Sequence, residues 1–379
     1  MTDRFETDIL IVGAGIAGVG LAADLTGDYR VTIIEQESRP AYHSTGRSMA
    51  IFIRNYGNAA IRALSRASAP LFEKPDATLF PHPLISQRGV LFISDESGIS
   101  HHNDLLDQAD GLRRISLDEA FDMVPILRRD WVAAAAYEHD AQDIDVNALH
   151  EGWLRKARSA GAQLLTDCGL RSAERVGGKW RAQTAKGEIV ADVIVNAAGA
   201  WADPVAQACG VASLGIQPMR RSIAVLPAPA EYDTTNWPLI DDSAERWYCK
   251  PGGGKLYVSP ADEIPVEPHD AYVDDMILAE GLDRFEQAVD YPVTRVERSW
   301  AGLRSFAPDR TPVAGFAPVA DGFFWLAGQG GYGMQTAPAL SRLAGQLIRR
   351  IEPSELSPAI VASLLPDRFF HADKNEELQ

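Results

Sequence analysis

The chain has 379 residues, 46% hydrophobic and 23% charged, the composition of a globular protein with room for about two domains and a well-buried core rather than extended disorder. A formal net charge of −16 repels phosphate backbones and anionic membranes at long range, so nucleic acid is not an expected partner. No apolar run is long enough to suggest a transmembrane segment, and the opening MTDRFETD lacks the basic and apolar regions of a secretory signal, so a cytoplasmic location is expected.

The first strand signal is Asp8 to Val12. Gly13-Ala14-Gly15-Ile16-Ala17-Gly18 follows it and opens a helix that runs to about Gly27. A second apolar strand, Val31 to Ile34, delivers Glu35 and Gln36. Glycines at these spacings suit a tight strand-to-helix turn, close backbone approach to a pyrophosphate and close helix packing, while an acid about 20 residues on suits ribose hydroxyls. The helix N-terminus favours the phosphate charge, and the context predicts a bound dinucleotide.

Helical spacing follows from Asn58 to Lys74, and Leu84 to Ser94 alternates toward a strand around Gly89-Val90-Leu91-Phe92-Ile93. His101-His102 reads as part of a solvated loop. Histidines are scattered and no HExxH occurs, so no metal site is expected. Leu117 to Val124 predicts a short helix and Val146 to Ala160 a longer one, with Asp145 as its N-cap. Turns at Gly177-Gly178 and Lys186-Gly187 separate short strands that lead into Asp192 to Gly199, an apolar strand ending in small residues. Small residues there let a bulky ligand approach the backbone, although tight packing would also account for them.

Between 216 and 306 the β-rich pieces, separated by Pro and Gly, predict an antiparallel sheet and a second domain. Gly252-Gly253-Gly254-Lys255 lacks the P-loop spacing and reads as a Lys-bearing hairpin turn. Phe323 to Ala327 reads as a strand returning to the first sheet. It is followed by the glycine-rich 328–333 and a helix whose last turn carries Arg349 and Arg350, as its dipole prefers. The tail after Asp373 reads as frayed. Cys168, Cys209 and Cys249 are odd in number and far apart, which predicts buried or half-buried thiols rather than disulfides or a zinc site.

Glycine-rich segments far apart in sequence imply one extended cofactor touched by several parts of the chain, which suits FAD. No later strand and acid exist to hold a second nucleotide. The chain resembles the flavoproteins of the glycine and D-amino-acid oxidase type, and within them the bacterial D-arginine dehydrogenases. The matching pieces are Gly13 to Gly18, Tyr42 to Ser48, Ala197 to Trp201, Arg220 to Ser222, Trp300 to Phe306 and Gln329 to Gly333.

This resemblance implies an α/β fold with a Rossmann-like FAD-binding domain (1–80, 140–215 and 310–379) and an α+β substrate domain on an antiparallel sheet (81–139 and 216–309). It also implies FAD contacts from Ile16, Ala17, Gln36, His43, Ser44, Thr45, Arg47, Ser48, Ala198, Gly199, Trp201, Gly302, Arg304, Gly330, Gly331, Tyr332, Gly333 and Gln335, beside those of Gly13, Gly15, Gly18 and Glu35. His43 is where some relatives attach flavin covalently, but the surrounding pattern points to non-covalent FAD.

Arg221 and Arg304 lie in apolar β segments, where an unpaired guanidinium is costly, so an anion should meet them. That anion is either an internal carboxylate or the carboxylate of a substrate, which Arg matches bidentately. Tyr56 and Tyr248 match positions that close over the substrate in the D-arginine enzymes, or are simply tyrosines half in core and half in water. The Gly331 to Gly333 backbone should face the flavin's pyrimidine end, where negative charge appears on reduction.

The expected activity is oxidative deamination of a D-amino acid by hydride transfer from Cα to flavin N5, with a quinone, carrier or oxygen as electron acceptor. A 2-hydroxy-acid dehydrogenase and a secondary-amine (sarcosine- or proline-like) oxidase are the alternatives. The polar residues that receive a cationic side chain in the D-arginine enzymes fall at Ile51, Ile53 and Val90, which predicts neutral or apolar substrates unless Asp241 or Asp242 reaches the pocket.

Overall fold

The computed structural model describes residues 4–370; the expected frayed tail lies outside them. Its central sheet has six strands in the order Gln163–Leu165, Val31–Ile34, Ile9–Val12, Val193–Asn196, Phe323–Ala327 and Val313–Phe316. The first five run parallel and the last antiparallel. Such strands are buried on both faces and read as continuous apolar runs, as ILIV, VTII and FFWLA do.

Helix Ile16–Leu25 packs on one face between helices Val146–Ser159 and Gly333–Ile348. A four-stranded sheet built from Arg4–Glu6, Leu170–Val176, Lys179–Thr184 and Gly187–Ala191 lies against the other, with Trp180 and Ile189 packed in one core with Leu10, Ile194 and Trp325. The predicted cap forms, with Asp145 accepting the Ala148 N–H for helix Val146–Ser159, and Asn58 caps helix Ala59–Glu73 in the same way by accepting the Ile61 N–H.

The second large sheet has nine strands. Its longest, Gln217–Pro227, pairs antiparallel with Arg298–Phe306, Lys255–Ser259 and Ile264–Pro265. The sheet continues through Tyr248–Gly252 and Leu239–Asp242, steps in parallel to Val90–Ser94, and ends with Ala134–Glu138 and Leu112–Ile115. Strand alternation divides the side chains. Leu91, Ile93, Ala224, Leu226, Ile240 and Cys249 form a core under helices Leu117–Met123 and Asp275–Ala288. Their alternates Phe92, Leu239, Asp241, Tyr248, Arg221 and Ile223 face a cavity on the opposite side. The glycine hairpin is present, with Gly253 and Gly254 both at positive φ between Tyr248–Gly252 and Lys255–Ser259.

Four expectations need correction. The strand expected over 84–94 is two strands in different sheets: Ile85–Gln87 pairs with Gln142–Ile144, and Gly89 at φ 73° turns the chain before Val90–Ser94. His101-His102 is helical, within Ile99–Gln108, and His102 is fully buried with Nδ1 2.8 Å from Ser243 Oγ. The β-rich stretch contains helix Asp275–Ala288, capped by Asp274. Arg349 and Arg350 lie past the end of helix Gly333–Ile348, and Arg349 binds Asp24 (2.6 Å) and Asp28 (2.8 Å) rather than serving the dipole. All three cysteines are free and buried, and no helix among the described residues is long and apolar enough to cross a membrane.

Because Trp325 is fully buried in the central sheet and packs edge-on against Phe323, which in turn meets Trp180, Trp325→Ala should cost about 3–5 kcal/mol, read as a lowered urea midpoint at unchanged m-value.

Candidate active site

The C-terminal ends of Ile9–Val12 and Val193–Asn196 lie side by side, since Val12 pairs with Asn196, so the Gly13 turn and the Ala197-Ala198-Gly199 segment meet. Gly13 sits at φ 107°, and a side chain there would strike the Ala197 carbonyl. The turn is held from two directions: Ala14 N–H donates to Glu35 Oε2 (2.9 Å), and the Ala14 carbonyl lies 3.0 Å from His150 Nε2. Gly15 N-caps the first helix with no side chain of its own, Thr45 Oγ1 takes the Ile16 N–H, and this helix end lines the cavity. This cavity, of about 610 Å³, runs from the glycine turn to the exposed face of the nine-stranded sheet.

The cavity brings together nearly every residue singled out from the sequence. Gly13, Gly15, Ile16, Ala17, Glu35, Gln36, Ala198, Gly199 and Trp201 line one end, and Gly302, Gly330, Gly331, Tyr332 and Gly333 line the middle. Gly18 is not in the lining; it lies behind the turn, against the backbone of Gly13, which is the packing role of a third glycine.

Several expected cofactor contacts have their polar groups already engaged. Thr45 Oγ1 accepts the Ile16 N–H, Ser44 donates to the Leu303 carbonyl, and His43 Nε2 lies 2.9 Å from Glu37 with its ring 4.5 Å from Trp201. Arg47 is directed to Asp270 and to the carbonyls of Ala271 and Ala301, so it joins the two halves of the molecule and its guanidinium is not free for a phosphate. Ser48 lines the cavity beside it. Gln335 accepts the Ile53 N–H and donates to Ser65, so it anchors the 51–53 segment instead of offering a free amide.

At the other end the antiparallel register decides the arrangement. Arg221 pairs with Gly302, and Arg304 follows two residues later on the same face, so both guanidinium groups project into one cavity as diagonal neighbours. Arg221 is compensated: Nε donates to the Asp262 carbonyl (2.7 Å), and Nη2 lies 3.2 Å from Glu263. Arg304 is not. Its nearest polar side-chain contact is the Tyr56 hydroxyl at 3.5 Å, and among the described residues it makes no ion pair. A Cβ on Gly331 would lie 3.0 Å from the Arg304 guanidinium carbon, so the glycine lets that group rest against the backbone. Tyr56 stacks edge-on with Tyr332 at 4.7 Å, and Arg221 lies 5.9 Å over the Tyr248 ring.

The side-chain end of the pocket departs from expectation. Ile51 and Ile53 line it, but Val90 does not: it is fully buried behind the wall, packed with Ile53, Phe92, Ala136 and Leu239. Carboxylates do line it, namely Asp241, Asp242, Glu245 and Glu138. The expectation of neutral or apolar substrates therefore loses its premise. Sequence reasoning named Asp241 and Asp242 only as an alternative and missed Glu138, although strand parity from Ile240, buried in the core, would have turned Asp241 to the cavity.

A family model described as "DAO: FAD dependent oxidoreductase" matches residues 8–347. The chain is 24% identical to the Bos taurus protein "FAD-dependent oxidoreductase domain-containing protein 1" over 98% of this chain and 86% of that one. It is 23% identical to a glycine oxidase of Pseudomonas aeruginosa, covering 91% of this chain and 95% of that one. Its fold is similar to that of an L-proline dehydrogenase from P. horikoshii, with a TM-score of 0.83, 22% identity and coverage of 97% and 99%.

Burial pushes the Glu138 carboxyl up to about 7, against opposing pulls from Asn55 and Arg54. A group that holds its proton more tightly when folded contributes stability at low pH and loses it as pH rises from the ordinary value of 4.5 to about 7. Glu138→Gln should therefore remove up to about 3 kcal/mol of pH-dependent destabilisation, read as the difference between variant and wild-type urea stability at acid and at neutral pH.

Proposed function

The chain belongs to the DAO family of FAD-dependent oxidoreductases, and on that premise we propose that it oxidises the Cα–N bond of a D-amino acid to an imino acid, which water hydrolyses to a 2-oxo acid and ammonia. The observation that carries this reading is Arg304, a charged group below the surface with no carboxylate of its own chain, beside a second guanidinium on the same strand face. A substrate carboxylate is the anion whose two oxygens a guanidinium fork matches.

The residues present fit FAD. The Gly13 to Ala17 turn and the N-terminal end of helix Ile16–Leu25, where Thr45 already takes the Ile16 N–H, would take the pyrophosphate, and Glu35, its oxygens already accepting from Ala14 and Glu37, retains lone pairs for ribose hydroxyls. Gly199 has open space where a side chain would stand, which leaves room for a bulky group near Trp201. Non-covalent binding is favoured by His43, whose Nε2 is engaged with Glu37. The bound flavin supplies the hydride acceptor.

The chain's own residues then bind, orient and exclude water. Arg304 and Arg221 fix the carboxylate, which restricts the direction of Cα–H, and positioning of this kind supplies much of the rate of a hydride transfer. Tyr56, Tyr248 and Tyr332 form a wall that keeps water from the reacting carbon. The enantiomer follows from the resemblance to the D-arginine enzymes. Among the described lining residues His43 is the one histidine, and its engagement with Glu37 leaves no free imidazole to take a hydroxyl proton, which sets the 2-hydroxy-acid reading behind the amine reading.

Two outcomes follow. Arg304→Met should keep its FAD yet lose about 10²–10³-fold in kcat/KM, because the carboxylate would have to be desolvated without its fork; retention of wild-type turnover would overturn the assignment. Since an amine releases hydride only when neutral, kcat/KM should rise with pH toward a plateau set by the substrate's own ammonium pKa, measured by anaerobic bleaching of the flavin band with D- and L-amino acids.

A further inference from the structure

We propose that Asp241 selects the substrate's side chain, receiving a positively charged amine or guanidine at the far end of an amino acid whose carboxylate lies on Arg304. The proposal rests on the amino-acid reading above and adds the class of substrate.

Asp241 lies on strand Leu239–Asp242, in register with Phe92 on one side and Tyr248 on the other, and all three side chains line the cavity. Ile51, Ile53, Phe92 and Leu239 form the apolar part of the wall around it, and Glu245 and Glu138 line the same end. The next residue shows what a satisfied acid looks like in this strand. Asp242 is fully buried and takes the Arg246 guanidinium on both oxygens, at 2.6 and 2.8 Å. Asp241 has no hydrogen bond or ion pair of its side chain among the described residues.

The cavity thus holds an uncompensated cation, Arg304, and an uncompensated acid, Asp241, too far apart to pair with each other. A simple carboxylate neutralises the first and leaves the second, with Glu245 near it, in apolar surroundings. An ordinary amino acid does no better, because its α-amine is neutral when it reacts. A molecule carrying a carboxylate and a second, distal cation neutralises both. Burial, with Glu245 and Asp242 beside it, pushes the Asp241 carboxyl well above the usual range while Arg221 and Arg304 pull it down, and a docked cation would favour its ionised form.

The test uses the full-length FAD-loaded protein. In steady-state turnover, D-lysine should exceed D-norleucine in kcat/KM by roughly tenfold or more, and Asp241→Asn should bring that ratio down to about one, mainly through KM, with Asp241→Glu restoring part of it. An unreactive pair separates binding from chemistry: 6-aminohexanoate and hexanoate lack the α-amine, and their binding is read from the flavin spectrum. Tighter binding of 6-aminohexanoate, lost in Asp241→Asn, supports the assignment. Equal binding of the two acids by the wild type, or a lysine-to-norleucine ratio unmoved by the substitution, overturns it. If 6-aminohexanoate binds through Asp241 but no amino acid of either hand is oxidised, the deamination reading fails and the cation subsite stands. The wild-type comparison of the two acids decides the matter even where a variant does not fold.

Discussion

A guanidinium without a carboxylate is the constraint around which this molecule is arranged. Removing a charge from water costs several kcal/mol unless something of opposite sign meets it, and three neighbouring arginines have such a partner: Arg220 has Asp262 and Asp274, Arg221 has Glu263, and Arg246 has Asp242 and Asp95. Arg304 has a tyrosine hydroxyl and a glycine backbone against it. The fold can hold it there because strand Arg298–Phe306 is paired along its whole length with Gln217–Pro227, so the backbone cannot yield to bring a carboxylate closer.

The site exists because two sheets of different construction meet across it. The parallel sheet contributes strand ends, with backbone turns and a helix N-terminus; the antiparallel sheet contributes a face, with side chains projecting at alternate positions. Few bonds fix their relation, and they are specific. Arg47 reaches Asp270, Ala271 and Ala301, Trp300 Nε1 donates to the Arg47 carbonyl, and Ser44 donates to Leu303. The Tyr42 to Ser48 segment therefore works as a clamp between the sheets, which explains why so many of its polar groups are already occupied.

Legibility of the sequence followed the range of the interactions concerned. The strand-to-helix glycine turn, the cap at Asp145 and the Gly253-Gly254 hairpin depend on neighbours close in sequence, and they form as read. The paired arginines were also legible, because alternation along a strand is local. What escaped depends on distant partners. Helix Ile99–Gln108 hides behind a polar stretch whose His102 is buried only because Ser243 lies beside it. Helix Asp275–Ala288 covers the core under Leu226 and Ile240 with an interrupted apolar face. Val90 and Asp241 exchanged roles for the same reason: which strand residue reaches a cavity is settled by the wall in front of it, here Phe92 and Leu239.

The strand order of the central sheet has a consequence for biosynthesis. Ile9–Val12 and Val31–Ile34 leave the ribosome first, yet their neighbours Gln163–Leu165 and Val193–Asn196 come more than a hundred residues later, and Phe323–Ala327 close to the end. Contacts so distant along the chain form slowly, and until they form the earliest apolar strands have unpaired edges. Until the later strands arrive, the nascent chain carries apolar strand edges with no partner, the aggregation hazard that a slowly assembled parallel sheet brings with it.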